Sequence, residues 1–321
     1  MNHVIALLRS RWLRVGFVVV ALGAATFAVV HEWADVQSAL TSISASLLVG
    51  CVALAVVNGL LTLLSWRAVL ADLGSDVPIR PASTIYFISQ LGKYVPGGIW
   101  NIVAATELGA DQRIPRRRSL SAMVVSVLVA IVSGLAVAVP ALLLAGPTGI
   151  DERWVWAALA VSLLVLSPPV LNRILAVALR LARREPLEHP LTVRGTLRAT
   201  MWSVAGWLVV GLQVWLLARA VGLPPGIDTY LLATGAYALA WTVGFVIIFV
   251  PAGVGARELV LALLLSGHVD RDAILVVVLV SRVALTASDL MLGGTALVLG
   301  RRRGSAHGTI AQPTSPGPRV G

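Results

Sequence analysis

The chain has 321 residues, of which 58% are hydrophobic and only 12% charged, with a formal net charge of +10. A soluble domain carries about 25% charged residues, so charge this sparse excludes a water-soluble fold of this size. The positive excess does not point to nucleic acid, because the arginines lie in short loops between long apolar blocks, where they set membrane orientation.

Spanning segments must be helices, since no barrel-like alternation appears and lipid cannot satisfy open backbone groups. Arg9, Arg11 and Arg14 precede the first apolar block, Val15 to Val30, and place the N-terminus inside. The following loop, His31 to Ala45, has Glu32 and Asp35 and no Lys or Arg, as expected outside. The second span, Ser46 to Ser65, leads to Arg67 and Arg80, which lie inside.

The next apolar stretch, Ser83 to Gly109, is followed by Arg113, Arg116, Arg117 and Arg118, which also belong inside. A stretch with both ends inside must turn back, and Pro96-Gly97-Gly98 at its middle breaks the helix there. Each half, about 12 residues or roughly 18 Å, reaches only partway across the bilayer. The third span, Ser119 to Ala145, exits to Asp151, Glu152 and Arg153, and the fourth, Trp154 to Leu171, returns to a loop with Arg173, Arg180, Arg183, Arg184, Arg194 and Arg198. The fifth, Thr200 to Ala218, goes out again. Thr229 to His268 then starts and ends outside and turns back at Pro251 and Gly253. The sixth, Ala273 to Leu299, ends inside at Arg301, Arg302 and Arg303. Of 25 Lys and Arg, only Arg153, Arg219 and Arg271 fall outside, and Lys93, Arg257 and Arg282 fall at membrane depth.

The expected fold is an all-α polytopic membrane protein with about six full spans and two re-entrant or broken helical hairpins. It divides into a cytoplasmic segment (1–14), a first membrane repeat (15–145), a second (146–300) and a basic, disordered cytoplasmic tail (301–321). The repeat rests on Tyr94-Val95-Pro96-Gly97-Gly98 beside Phe249-Val250-Pro251-Ala252-Gly253, and on Trp66 with Leu73-Gly74 beside Trp215 with Val221-Gly222. Three full crossings per half would leave the second half inverted, the plan of many transporters.

Ionisable residues within a bilayer are functional candidates by default. Lys93 adjoins the first break and Glu107 ends that hairpin; Arg257 and Glu258 follow the second break; Arg282 and Asp289, two helical turns apart, share a face of the last span. Each has a plainer reading. Lys93 would snorkel to the surface, Arg257 and Glu258 would pair with one another, Arg282 and Asp289 would form an internal ion pair, and Glu107 would be solvated beside the arginine loop. The sharper expectation is that Lys93, Arg257 and Arg282 converge on a cavity that holds an anionic headgroup, with Tyr94, Trp100 and Asn101 shaping it and broken helix ends adding backbone N–H groups. Asn58, Ser65 and Gln213 are weaker polar entries. Trp12, Trp33, Trp66, Trp154, Trp156, Trp202, Trp207 and Trp215 sit at block ends and read as an interfacial belt. No paired-carboxylate arrangement, HExxH, CxxC or nucleophile elbow appears, so neither catalysis, a metal nor a cofactor is expected. The single cysteine, Cys51, reads as a small buried hydrophobe.

Gly92-Lys93-Tyr94-Val95-Pro96-Gly97-Gly98-Ile99-Trp100 resembles the GKYxPGxxW signature of the lysylphosphatidylglycerol synthase transmembrane-region family. Pro251-Ala252-Gly253-Val254-Gly255-Ala256-Arg257-Glu258 resembles its PxGxGxRE signature, and Ser281-Arg282-Val283 its last-helix arginine. The resemblance implies a plasma-membrane domain that moves anionic or aminoacylated phospholipid between leaflets, a flippase. It covers the translocating half without the C-terminal aminoacyl-transfer domain of full-length relatives. It also leaves open an accessory subunit that positions a partner synthase or a lipid-linked glycosyltransferase.

Overall fold

The structure is a computed structural model that describes residues 43–95, 100–145, 152–181, 189–246 and 256–307. The expected segment 1–14, the first span and the tail beyond His307 lie outside the described residues. Those residues form ten α-helices: α1 (Ala45–Asp72), α2 (Ile79–Gln90), α3 (Trp100–Asp111), α4 (Arg116–Leu144), α5 (Glu152–Val165), α6 (Pro168–Leu181), α7 (Val193–Ala220), α8 (Ile227–Val246), α9 (Ala256–Leu265) and α10 (Arg271–His307). A 3₁₀ turn, Leu91–Tyr94, continues α2.

Among the described residues, four helices are long and apolar enough to cross a membrane: α1, α4, α7 and Ala273–Val298 within α10. The expected fourth span differs. Pro168 and Pro169 cannot continue the ladder of α5, so the block breaks at Ser167 and α5 and α6 meet at a bend of 61°. Counted as one span, that pair would be the fifth among the described residues. The final helix also outruns its expected end, entering the tail as far as His307.

α1 and α7, 28 residues each, form the central pair. They run antiparallel. Asp72 at the end of α1 accepts from Thr192 N–H and Oγ1–H, both at 2.7 Å, just before α7 begins. Seven residues back, Ser65 Oγ donates to the Ala199 carbonyl at 2.9 Å. Seven further, Asn58 faces Gly206, where an added Cβ would stand 3.0 Å from Asn58 Oδ1. The seven-residue step keeps one face of each helix in register with the other. Asn58 and Gly206 are each the fourteenth of 28 residues, so the helices cross at their midpoints. The seam is built from small and polar side chains, which let helices approach closely where lipid offers no hydrophobic drive for association.

The two helices end alike. Ser75 N–H bonds back to the Leu70 carbonyl, and Leu223 N–H to the Ala218 carbonyl, closing the same Schellman-type turn. Both turns need a left-handed residue, supplied by Gly74 (φ +88°) and Gly222 (φ +111°).

Packing across the chain comes in matched sets. α2 lies against α10 as α8 lies against α4; α2 against α3 as α8 against α9; α3 against α4 as α9 against α10; and α1 against both α4 and α10 as α7 against both. α2 with its 3₁₀ turn reaches about 26 Å and α8 about 30 Å. Buried side chains gather in two clusters. One is centred on α1, α2 and the start of α4. The other is centred on α7, α8 and the first half of α10.

Two tryptophans depart from the expected belt. Trp66 is fully buried with its ring 5.4 Å from that of Tyr86, and Trp207 packs 5.3 Å from Trp241. Trp207 Nε1–H also donates to Ser133 Oγ, which shares a hydrogen bond with Ser203 Oγ at 2.8 Å. Their position near block ends matches a lipid interface, but each faces inward and serves the core.

Candidate functional site

The first break is set by a close approach. A Cβ on Gly92 would lie 2.6 Å from the Asn101 backbone nitrogen, so only glycine lets the start of α3 pass against the 3₁₀ turn. The next two residues, Lys93 and Tyr94, are thereby held against α10. Lys93 Nζ lies 2.6 Å from Asp289 Oδ2, and Tyr94 Oη donates to that same oxygen at 2.6 Å. The ammonium also lies 5.5 Å from the centroid of the Tyr94 ring. The Asp289 side chain is 18% exposed and that of Lys93 38%. A carboxylate so enclosed at membrane depth requires partners, and here an ammonium and a phenol provide them.

The second break contributes Arg257, in the first turn of α9. Its Nη2 donates to Tyr237 Oη on α8, and its Cζ lies 4.5 Å from that ring's centroid. Arg257 is close enough to Tyr94 to act on its phenol electrostatically, and Thr286 on α10 lies within hydrogen-bonding reach of it. Tyr94 is thus fastened to α10 through Asp289, and Arg257 to α8 through Tyr237.

Of the residues singled out in the sequence, Lys93, Tyr94 and Asp289 are brought into contact, and Arg257 acts on Tyr94 through its charge alone. The ion pair that Asp289 makes is with Lys93. Arg282 is half-buried two turns earlier on α10 and has an interaction of its own. Trp100 begins α3 and is partly buried. Asn101 Oδ1 accepts from Ile102 N–H at 2.9 Å, serving the start of its own helix. Glu107 goes elsewhere. It takes Arg116 Nε at 2.9 Å and Nη2 at 2.8 Å, a two-pronged clamp across the α3–α4 connection, with its side chain only 13% exposed. Pro96, Gly97, Pro251, Gly253 and the Glu258 side chain lie outside what the structure describes.

Tyr237 and Thr286 were not legible as site residues. Tyr237 stands in the mostly apolar helix α8, and the available signal was scarcity: the chain has four tyrosines, and this one lies mid-helix in an apolar block. Among the described residues, no group of three or more His, Cys, Asp or Glu is placed to hold a metal ion. What the cluster offers chemically is cationic and phenolic donors around one carboxylate, a set suited to an anion and its counter-charge.

Long apolar helices around an inward-facing charged cluster define a multi-pass α-helical membrane protein. The chain belongs to the lysylphosphatidylglycerol synthase transmembrane-region family, whose model matches residues 12–293. No curated protein matches the chain. The matched model describes a transmembrane region, and so carries the membrane fold rather than the synthase chemistry.

Proposed function

We propose that the protein is a flippase-like lipid translocase whose central cluster receives an anionic or aminoacylated phospholipid headgroup. The observation that carries this reading is that Lys93 and Tyr94, beside the first break, share Asp289 on α10 in a partly enclosed ion pair; the charge of Arg257, beside the second break about 155 residues on, also reaches Tyr94. Lys93, Arg257 and Arg282 would hold the phosphate. Asp289 and Glu258 would balance the charge or meet an amine on the headgroup, and Trp100 and Asn101 would border the entry.

The reading includes two inverted repeats, α1–α4 and α7–α10, each with a hairpin dipping in from one face. Matched packing, equal lengths for α1 and α7 and the shared Schellman-type stops support it. Alternating access would come from rocking one repeat on the other. The plasma membrane is the expected location, with both termini cytoplasmic.

Purified protein in liposomes with labelled phosphatidylglycerol should speed leaflet exchange, and Lys93→Gln or Arg257→Gln should slow it by at least about tenfold, since loss of a charge-assisted contact of roughly 1.5–3 kcal/mol corresponds to about 10- to 150-fold. Wild-type exchange at the empty-liposome rate would reject translocation and leave the accessory role with a synthase or glycosyltransferase. Sidedness has its own test. Arg116→Cys and Arg302→Cys should both react with an impermeant thiol reagent from the cytoplasmic face, against a quiet background because Cys51 is fully buried. Reaction from opposite faces would remove the inverted arrangement.

A further inference from the structure

A second polar feature lies away from the central cluster. Near the end of α1 and the start of α7 is a cleft of about 290 Å³ whose lining includes Leu64, Arg67, Ala68, Asp76, Arg198 and Trp202. That volume is close to the lower limit of about 300 Å³ for small-molecule sites.

Its charges are arranged for an anion. Arg67 Nε donates to the Val77 carbonyl at 2.6 Å and Nη2 to Asp76 Oδ1 at 3.0 Å. These bonds fix the guanidinium while committing two of its five N–H donors. Arg198 is exposed on the α7 side, one turn before Trp202. Two guanidinium groups against one carboxylate leave the cleft positive, and Asp76 is itself 77% exposed and solvated.

The surroundings say which anion. From Leu64 an exposed apolar stripe runs along α1 through Leu60 (42%), Val57 (42%) and Val49 (69%), the spacing of a single helix face. On α7, Leu197 and Met201 are exposed beside Arg198 and Trp202. A free phosphate has no use for such a track, whereas an acyl chain does. Tryptophan at the polar end of an apolar track suits the headgroup level of a bilayer.

We infer that this cleft binds the phosphate of an anionic phospholipid from the adjoining leaflet, between Arg67 and Arg198, with an acyl chain along the α1 stripe. The site is separate from the central cluster and stands whether or not that cluster translocates lipid.

The test uses the full chain in liposomes with a phosphatidylglycerol carrying a photoreactive group near the glycerol end of one acyl chain, and a phosphatidylcholine probe alike in all but headgroup. The expected result is phosphatidylglycerol labelling of peptides containing residues 60–71 and 198–202, at least about fivefold above phosphatidylcholine. Unlabelled phosphatidylglycerol should compete, and millimolar inorganic phosphate should not. Arg198→Ala, an exposed substitution that keeps the folded yield, should lower labelling about fivefold. Lys93→Gln should leave it unchanged, whatever that variant does to exchange. Equal labelling by both probes, full labelling in Arg198→Ala, or block by inorganic phosphate would each overturn the assignment.

Discussion

Asp289→Asn is expected to lower stability by about 2–4 kcal/mol. The substitution keeps the shape of the side chain and removes its charge. Lys93, 2.6 Å away, is then left at membrane depth without its counter-ion, and Tyr94 loses a charged acceptor. Removing one partner of a fully buried ion pair costs roughly 3–5 kcal/mol. The 38% exposure of Lys93 brings the figure down, since water screens part of the charge. Lys93→Gln combined with Asp289→Asn removes both charges and should recover more than half of the loss. Thermal unfolding of the two single variants and the double variant in detergent measures the coupling. A double variant no more stable than Asp289→Asn alone would mean that the pair does not fasten the first break to α10.

The second large effect is expected at the crossing of α1 and α7. Gly206→Leu should cost about 3 kcal/mol, the upper end for forcing a side chain into a packed contact. A Cβ at Gly206 already meets Asn58 Oδ1 at 3.0 Å, with Leu61 Cβ and Thr62 Cγ2 both at 3.9 Å, so the branches beyond it have no room without parting the helices. Gly206→Ala is milder, and Asn58→Ala should relieve it by removing the atom that the new methyl approaches. Midpoints of thermal unfolding give both comparisons. An unchanged midpoint in Gly206→Leu would show that the helices do not cross there.

Much of the membrane architecture was legible because its signals are local. Apolar blocks, the arginines between them and the Pro-Gly pairs report hydrophobic length, loop position and backbone breaks without reference to the rest of the chain. The break near Pro96 shows this: α2 and its 3₁₀ turn end before it and α3 begins after it. The bend at Pro168 was equally open to a local reading, but the apolar run continuing to Leu171 concealed it.

Pairing was less legible, because it depends on which helix arrives opposite. Arg282 and Asp289 share a face, and sequence spacing made them natural partners. The ion pair of Asp289 goes instead to Lys93, 196 residues earlier, a meeting set by the packing of α2 on α10. Trp66 and Trp207 shared their place in sequence with interfacial tryptophans, and only their inward direction distinguishes them. Asn58 carried little sequence signal because its importance comes from standing at a midpoint crossing.

The matched contacts between the two halves bear on energetics as well as construction. On the translocase reading, opening toward one leaflet and opening toward the other would be nearly the same rearrangement with the roles of the halves exchanged. Two such states would lie close in free energy, so a modest preference of a bound headgroup for either would suffice to tip the balance. Any built-in direction would then reside where the halves fail to match. Among the described helices, α2 and α8 differ in length, 12 residues against 20, as do α4 and α10, 29 against 37.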